Sequence, residues 1–395
     1  MQIHTKKRGE SLAEIAKKYG ISAENIVSTN SPGIENAAIG EELLILVPTR
    51  TYTLKKSDTM ERLCLRFRVR RSDILAQNPW IINDGLTAGR SIVLKYDDKM
   101  YGTAAANGYF YKGCSIDRLR SALPYLTYVT VGCAISDESS VQKTFDDREV
   151  MEIIKSESKI PLIRIYDTIC KRSYKCKEKN ASYIQSMIEA TKAGGYKGIV
   201  LSAGGDTECE AFYEFILDFR KSLIGCDLIL IVETDENSSQ TISDFTDGCI
   251  LSYQKYSIAD APSFDDGEKK IFSDFACYGE CSKTFIELPS LARAASDKFM
   301  SKDEAISLAR AHGYEIETDE STLISSFTDK ILGRISFSSL KNIKAVLDII
   351  EEYGYMGIAF DIGRTPISHL LMYNALFRTA AHTTARAPEG CSKER

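Results

Sequence analysis

Histidine and tryptophan are scarce in this sequence. There are four histidines, at positions 4, 312, 369 and 382, and one tryptophan, Trp80. No Cys-x-x-Cys pair occurs and no histidine lies beside a cysteine pair, so no metal-ligand spacing is present. No metal or cofactor is expected. No apolar run reaches about 18 residues, which excludes a transmembrane helix. The start, Met1 to Arg8, is basic but has no apolar segment behind it, so no secretory signal is expected. Positive charge is not in excess either: 50 Lys and Arg face 55 Asp and Glu, for a formal charge of −5. Without a dominant basic field, nucleic acid is not an expected partner.

What is present is ordinary globular chemistry. The 395 residues are 44% hydrophobic and 27% charged, with 25 glycines and nine prolines. This composition excludes a disordered, collagen-like or coiled-coil chain. At roughly 150 residues per domain, the length fits two to three domains with a large core. Eleven cysteines are scattered from Cys64 to Cys391. An odd, dispersed set without a signal segment reads as reduced, mostly buried thiols in a cell interior.

The chain begins with an internal repeat. His4 to Asn30 aligns without gaps on Tyr52 to Asn78. Equivalent pairs include Glu10/Asp58, Ser11/Thr59, Leu12/Met60, Ile15/Leu63, Tyr19/Phe67, Ile26/Ile74 and Asn30/Asn78. Each copy ends in a short apolar run, Leu43 to Val47 and Ile92 to Leu94. Ser11 and Thr59, or the acid before each, suit helix caps. Leu12, Ile15, Ala16 and Tyr19 form one helical stripe. The pattern predicts strand–helix–helix–strand in fewer than 50 residues, a core small enough to suit a recognition module.

These residues resemble the LysM domain over 2–48 and 51–96, and two LysM units are expected over 1–49 and 50–97. The resemblance implies binding to N-acetylglucosamine polymers such as peptidoglycan or chitin, in a shallow groove between two loops. Carried over, the loops are Gly9, Glu10, Ser11 and Leu12 with Asn30, Ser31, Pro32 and Gly33. In the second copy they are Ser57, Asp58, Thr59 and Met60 with Asn78, Pro79, Trp80 and Ile81. Small residues and a ring suit an uncharged sugar face, while a core or interdomain place for Trp80 is an equal alternative. The second copy has Ser57 where the family has Gly. It also carries Arg62, Arg66, Arg68, Arg70 and Arg71, a solvated face or a contact to an anionic wall polymer or a protein.

From about residue 104 the pattern changes to apolar runs alternating with amphipathic helices. The runs start at Gly108, Leu126, Pro161, Gly198, Asp227, Gly248, Thr284 and Gly357. Apolar strands separated by helices signal a parallel sheet covered on both faces. Eight such units over 104–380 predict an α/β fold, a (β/α)8 barrel. Residues 302–338 read as a small α+β insertion, with a helix over 302–312 and strands near 315–317 and 331–337. The tail, 381–395, is polar and expected to be disordered.

A LysM pair ahead of such a barrel resembles glycoside hydrolase family 18, specifically the LysM-bearing spore cortex-lytic N-acetylglucosaminidases. The matching text is Asn107-Gly108-Tyr109, Leu126 to Val129, Gly194 to Ile199, Leu251-Ser252-Tyr253, Leu288-Pro289 and Tyr353 to Ile358. In that family the fourth strand ends in Asp-x-Glu. Its Glu protonates the glycosidic oxygen, and its Asp positions the substrate N-acetyl group, whose carbonyl oxygen attacks the anomeric carbon. Here the same stretch is Ser202-Ala203-Gly204, so both acids are missing. The family's Trp at the end of the eighth strand is Asp361. Tyr253 matches the Tyr that contacts the N-acetyl carbonyl; barrel-rim packing is an equal alternative. A positioned acid is worth roughly 10²–10⁴ in rate, so no catalytic residue is expected.

Three acids remain as weak alternatives: Glu208 in the fourth loop, and Glu233 and Asp361 as a new pair across the mouth. Asp206, Glu208 and Glu210 also suit the N-terminus of the next helix. The resemblance thus implies a glycan-binding protein with an inert barrel, or, as the alternative, a cortex-lytic glycosidase using displaced acids. The expected partner is peptidoglycan or another N-acetylglucosamine-containing glycan, with spore coat proteins as further candidates. The expected location is the spore envelope or cell wall of an endospore-forming bacterium, after synthesis in the cytoplasm.

Overall fold

The computed structural model describes residues 1–97, 99–136, 141–167, 177–203, 210–234, 242–252, 263–278 and 280–380. Gly204, Asp206, Glu208, Tyr253 and the tail from 381 lie outside the described residues.

The first repeat folds as β1 (Gln2–Thr5), α1 (Leu12–Tyr19), α2 (Ala23–Thr29) and β2 (Glu42–Ile45), with β1 and β2 antiparallel. The second repeats this as β3 (Pro48–Thr53), α3 (Met60–Phe67), α4 (Arg71–Gln77), a short α5 (Ile81–Asp84) and β4 (Ser91–Tyr96), with β3 and β4 antiparallel. Ser11 and Thr59 cap their helices, each side chain accepting from the amide three residues on. The cores are small: Ile15, Ala16, Ile26, Ile34, Ala37, Leu43 and Ile45 in one, Leu54, Leu63, Ile74, Leu75, Ile81, Ile92 and Leu94 in the other. Fully burying an aliphatic side chain is worth about 1.5–3 kcal/mol, which leaves so small a core marginal alone. Both units accordingly lean on the rest of the chain. Leu44 and Leu46 of the first, and Ala76, Val93 and Tyr96 of the second, join the main core.

Eight strands then close a parallel barrel: β5 (Gly102–Tyr111), β6 (Tyr128–Ser136), β8 (Ile160–Asp167), β9 (Gly198–Ala203), β10 (Ile229–Thr234), β11 (Gly248–Leu251), β12 (Thr284–Glu287) and β18 (Gly357–Asp361), which pairs back onto β5. A short β7 (Val141–Lys143) forms a hairpin with β6. The helices on the outside are α6 (Ile116–Ala122), α7 (Arg148–Ser156), α8 (Lys177–Ala193), α9 (Glu210–Ser222) and α10 (Glu268–Tyr278). Strand alternation sorts the core into two layers. Ala105, Tyr109, Leu162, Val200, Ile231, Ile250, Phe285 and Ala359 cluster together, while their neighbours Ala106, Phe110, Ile163, Ile199, Val232, Leu251, Ile286 and Phe360 join the cluster that holds the helices. Gly357 sits at φ 153°, and a Cβ there would strike the Ala105 carbonyl, so the eighth strand closes on the first only with glycine at this place.

The insertion is larger than the sequence predicts. It opens at Leu291 rather than at residue 302, with β13 (Leu291–Ala294) and β14 (Phe299–Ser301) before α11 (Lys302–His312). β15 (Glu317–Thr318), β16 (Ile324–Asp329) and β17 (Gly333–Ser338) complete an antiparallel sheet in the order β14-β13-β17-β16-β15. The chain then forms α12 (Leu340–Tyr353), β18, α13 (Ile367–Leu376) and β19 (Phe377–Thr379), a short strand beside β5. No helix among the described residues is long and apolar enough to cross a membrane.

Candidate functional site

Chemistry in a (β/α)8 barrel gathers where the strands end at their C-termini. Arg164 on β8 reaches across that mouth. Its Nε donates to Glu233 Oε1 at 2.6 Å and its Nη2 to Glu233 Oε2 at 2.6 Å, a bidentate pair. The same Nη2 donates to Ser202 Oγ at 2.8 Å, and Tyr109 donates to Glu233 Oε1 at 2.9 Å. The rings of Tyr109 and Tyr111 stack with centroids 5.6 Å apart, and the guanidinium lies 5.7–5.9 Å from the rings of Tyr109, Tyr111 and Tyr166. Burial alone would push the Glu233 carboxyl up, but Arg164, Ser202 and Tyr109 together hold it below its ordinary value. Glu233 is therefore a carboxylate at neutral pH and has no proton to donate.

Asp361 belongs to a separate arrangement. Its Oδ1 accepts the Gly363 amide at 2.8 Å and Oδ2 lies 3.7 Å from Arg364, while burial raises its carboxyl. Glu233 and Asp361 thus have different partners, and no bond between them closes the mouth as a pair. Among the described residues, the mouth holds a further acid that the sequence reading missed. Glu287 ends β12, and burial pushes its carboxyl up to about 7 against a hydrogen bond from Ser252. In the sequence it reads as the polar end of a buried run, and only the three-dimensional burial reveals its chemistry.

The LysM loops divide into supports and open surface. In the first unit, Glu10 accepts from His4 Nε2 at 2.9 Å and from the Lys7 amide at 3.0 Å, closing its own loop with Gly9 at the turn. Asn30 is 4% exposed; its Nδ2 donates to the carbonyls of Ile26 and Leu44, and its Oδ1 accepts the Leu44 amide. Asn78 repeats this with Ile74 and Val93. Both asparagines, expected at the groove, spend their side chains locking helix to strand.

The remaining loop residues of the two units face different surroundings. Ser31 donates to Asp303 Oδ1 at 2.6 Å, and the Pro32 carbonyl accepts from Arg310 Nη1 at 2.5 Å, both on α11 of the inserted lobe. A Cβ on Gly33 would stand 3.1 Å from that guanidinium. Arg310 also pairs with Glu41, with both side chains under 8% exposed, and Arg8 pairs with Glu315. Gly40, at φ 81°, lies so close to the lobe that a Cβ would run into the Ile316 carbonyl. In the second unit Ser57, Thr59, Met60, Pro79 and Trp80 are exposed or half-buried. Among the described residues, the loops 57–60 and 79–80 make hydrogen bonds only within their own unit. Asp58 accepts the Lys55 amide, and the Arg90 guanidinium lies 3.6 Å from the Trp80 ring centre. Trp80 is half-buried and packs against the core of its own unit, with that guanidinium over its ring.

Residues 4–45 and 52–95 each match the LysM domain. The putative sporulation-specific glycosylase YdhD of Bacillus subtilis (strain 168) is 26% identical over 168 residues, 42% of this chain and 39% of its own length. The chain's match therefore spans well under half of that relative. The spore cortex-lytic enzyme SleL of Bacillus megaterium QM B1551 superposes with a TM-score of 0.73 at 18% identity, covering 96% of this chain and 98% of that one. SleL of Bacillus cereus gives 0.71 at 16%, covering 96% and 99%. A chitinase of Chromobacterium violaceum ATCC 12472 gives 0.61 at 12%, covering 69% of this chain and 98% of its own. The chain carries two LysM domains followed by a (β/α)8 barrel with the fold of spore cortex-lytic enzymes and chitinases.

Proposed function

We propose that this protein binds peptidoglycan, or another N-acetylglucosamine-containing glycan, in the spore envelope or cell wall, and that its barrel does not hydrolyse it. The LysM match and the spore-related relatives support the glycan and the place. One observation carries the loss of catalysis: Ser202, where the family resemblance expects an acid, is held by an arginine that also clamps the neighbouring Glu233 as an ion pair. A proton donor over a glycosidic bond must be protonated before the reaction. Gly204 has no side chain to donate one, and Glu233 is ionised. The test is hydrolysis of cortex fragments and of a fluorogenic N-acetylglucosaminide by the full chain. No turnover above background is expected, together with retention on purified peptidoglycan that is lost when residues 1–97 are removed. Turnover would overturn the inert barrel, and equal retention without those residues would overturn the LysM anchor.

A second reading has its own observation. Glu287 and Glu233 sit at the same mouth with carboxyls displaced in opposite directions, which is how paired acids divide roles. If turnover is seen and Glu287→Gln abolishes it, the barrel is a glycosidase with displaced acids.

A further inference from the structure

The second LysM unit differs from the first in charge as well as in exposure. Between residues 50 and 71 it carries Arg50, Lys55, Lys56, Arg62, Arg66, Arg68, Arg70 and Arg71 against Asp58 and Glu61 alone, in a chain whose net charge is −5. Two of these cations are used internally: Arg70 pairs with Asp73, and Arg71 with Glu157, the residue that follows α7. Arg50, Arg62, Arg66 and Arg68 are exposed and have no ion-pair partner among the described residues. At the matching places the first unit has Glu14, Lys18 and Gly20 for Arg62, Arg66 and Arg68.

Three of these four arginines, Arg50, Arg62 and Arg66, are also held in place. Arg66 lies 4.8 Å from the Tyr52 ring centre and 5.4 Å from that of Phe67, and Arg50 lies 5.2 Å from Phe67. A guanidinium already held over a ring loses less entropy when an anion arrives. Arg66 Nη1 donates to the Tyr52 hydroxyl at 3.1 Å. Arg62 Nη1 donates to the Ser57 carbonyl at 2.8 Å, which places the start of this basic face directly on the candidate groove loop. Of the two acids here, Asp58 is occupied by the Lys55 amide and Tyr52, and Glu61 by its own amide and Thr59.

We infer that the second LysM unit is the glycan-reading unit of the chain and that it selects a carboxylate-bearing N-acetylglucosamine strand, as in peptidoglycan, over a neutral one such as chitin. The sugar lies in the open groove, and carboxylates carried by the strand meet the ordered arginines beside it. The first unit, its loop engaged by Asp303 and Arg310, serves as a brace. This inference rests on the glycan-binding reading proposed above.

The experiment measures retention of the full chain on peptidoglycan and on chitin beads, at low and high salt. Arg66→Gln/Arg68→Gln and Trp80→Ala are compared with the unaltered protein, and folding is checked by thermal unfolding. The unaltered chain is expected to favour peptidoglycan by about tenfold at low salt and to lose that advantage as salt rises. The double variant should lose about three- to tenfold on peptidoglycan and far less on chitin. Trp80→Ala should weaken both. Equal retention on the two polymers, or equal loss from both in the double variant, overturns the selectivity while leaving glycan binding intact. Retention of the unaltered chain on neither polymer overturns the glycan-binding reading itself, and this inference with it.

Discussion

At one ladder position the first LysM unit has Glu42 and the second has Ser91: Thr5 pairs with the former and Thr53 with the latter. Ser91 is exposed, and among the described residues its hydroxyl bonds only that of its cross-strand neighbour Thr53. Glu42 instead turns into the body of the protein, where Oε2 accepts the amides of Leu340 at 2.6 Å and Lys341 at 3.3 Å. Those amides open α12, so a residue of the first unit caps a helix of the barrel. The same contrast holds at the loops, where Ser31 and Pro32 meet α11 while Pro79 and Trp80 stay open. The second unit is attached too, but by its back: Tyr125 donates to the Ala76 carbonyl at 2.7 Å. The two copies keep one interior and one asparagine lock. A few outward residues decide which copy becomes scaffold and which keeps its groove.

The strongest way to break this comparison is to remove Arg310. It satisfies Glu41 through two hydrogen bonds, at 2.5 and 3.0 Å, and leaves neither side chain open to water. Arg310→Leu strands a buried carboxylate, which costs about 3–5 kcal/mol. Urea unfolding measures the loss, and amide exchange should quicken over residues 31–41 while residues 79–91 stay as they were. A loss below about 1 kcal/mol would mean that the first unit is not firmly seated, and the contrast would fail.

A next, smaller effect sharpens what the copies share. Asn30→Ala and Asn78→Ala each orphan a buried amide, of Leu44 or Val93, and remove the side-chain amide donor to two carbonyls, although in the first unit the Thr29 hydroxyl also lies 3.2 Å from both. At about 1–3 kcal/mol for each variant, the penalty should be similar in the two units. Thermal unfolding measures it. A large cost in one and none in the other would show that the lock is not common to both.

These residues also mark how far the sequence can be read. The barrel strands are legible because burial on both faces writes continuous apolar runs such as Ile199 to Leu201 and Leu230 to Val232. The repeat is legible because two small cores need the same stripe. The lobe is only partly so. In β16, Ile324-Ser325-Ser326-Phe327-Thr328-Asp329 is polar at most positions, and its serines are buried by the sheet rather than by their own chemistry. Asn30 and Asn78 stand out in the alignment, but a conserved spacing within a repeat does not tell a ligand from a lock. Ser202 and Glu233 are visible as mouth residues, since they end their strands. Their partner Arg164 is not, because three side chains on three strands meet only once strand register is known. Docking is the least legible feature of all. Nothing near Glu42 in sequence announces that residues 340 and 341 will lie beside it.

The smallest effect is one of slope, and it asks whether that docking senses pH. Burial raises the Glu42 carboxyl above its ordinary range, against the pull of Lys302, Lys341 and the two amides. A carboxyl raised in the docked state binds its proton more readily there than in the free strand. Docking is then firmest below the ordinary carboxylate range and weakens as pH rises through the raised value. Lys302, pushed down to about 8 by burial, gives the opposite slope, but only at higher pH. In the window above the ordinary carboxylate range, Glu268, pushed up to about 7 beside Asn342, adds to the Glu42 slope, and His369, held well below its ordinary value beside Lys302, opposes it, so Glu42 is isolated by difference. Glu42→Gln keeps an oxygen for the Leu340 amide and has no proton to exchange, so stability should become flatter with pH across that window. The matching change in the second unit, Ser91→Gln, should leave the profile as it was, because that strand position faces water. A profile unchanged by Glu42→Gln would remove the charge from the account of docking and leave Asp303 and Arg310 to hold the first unit in place.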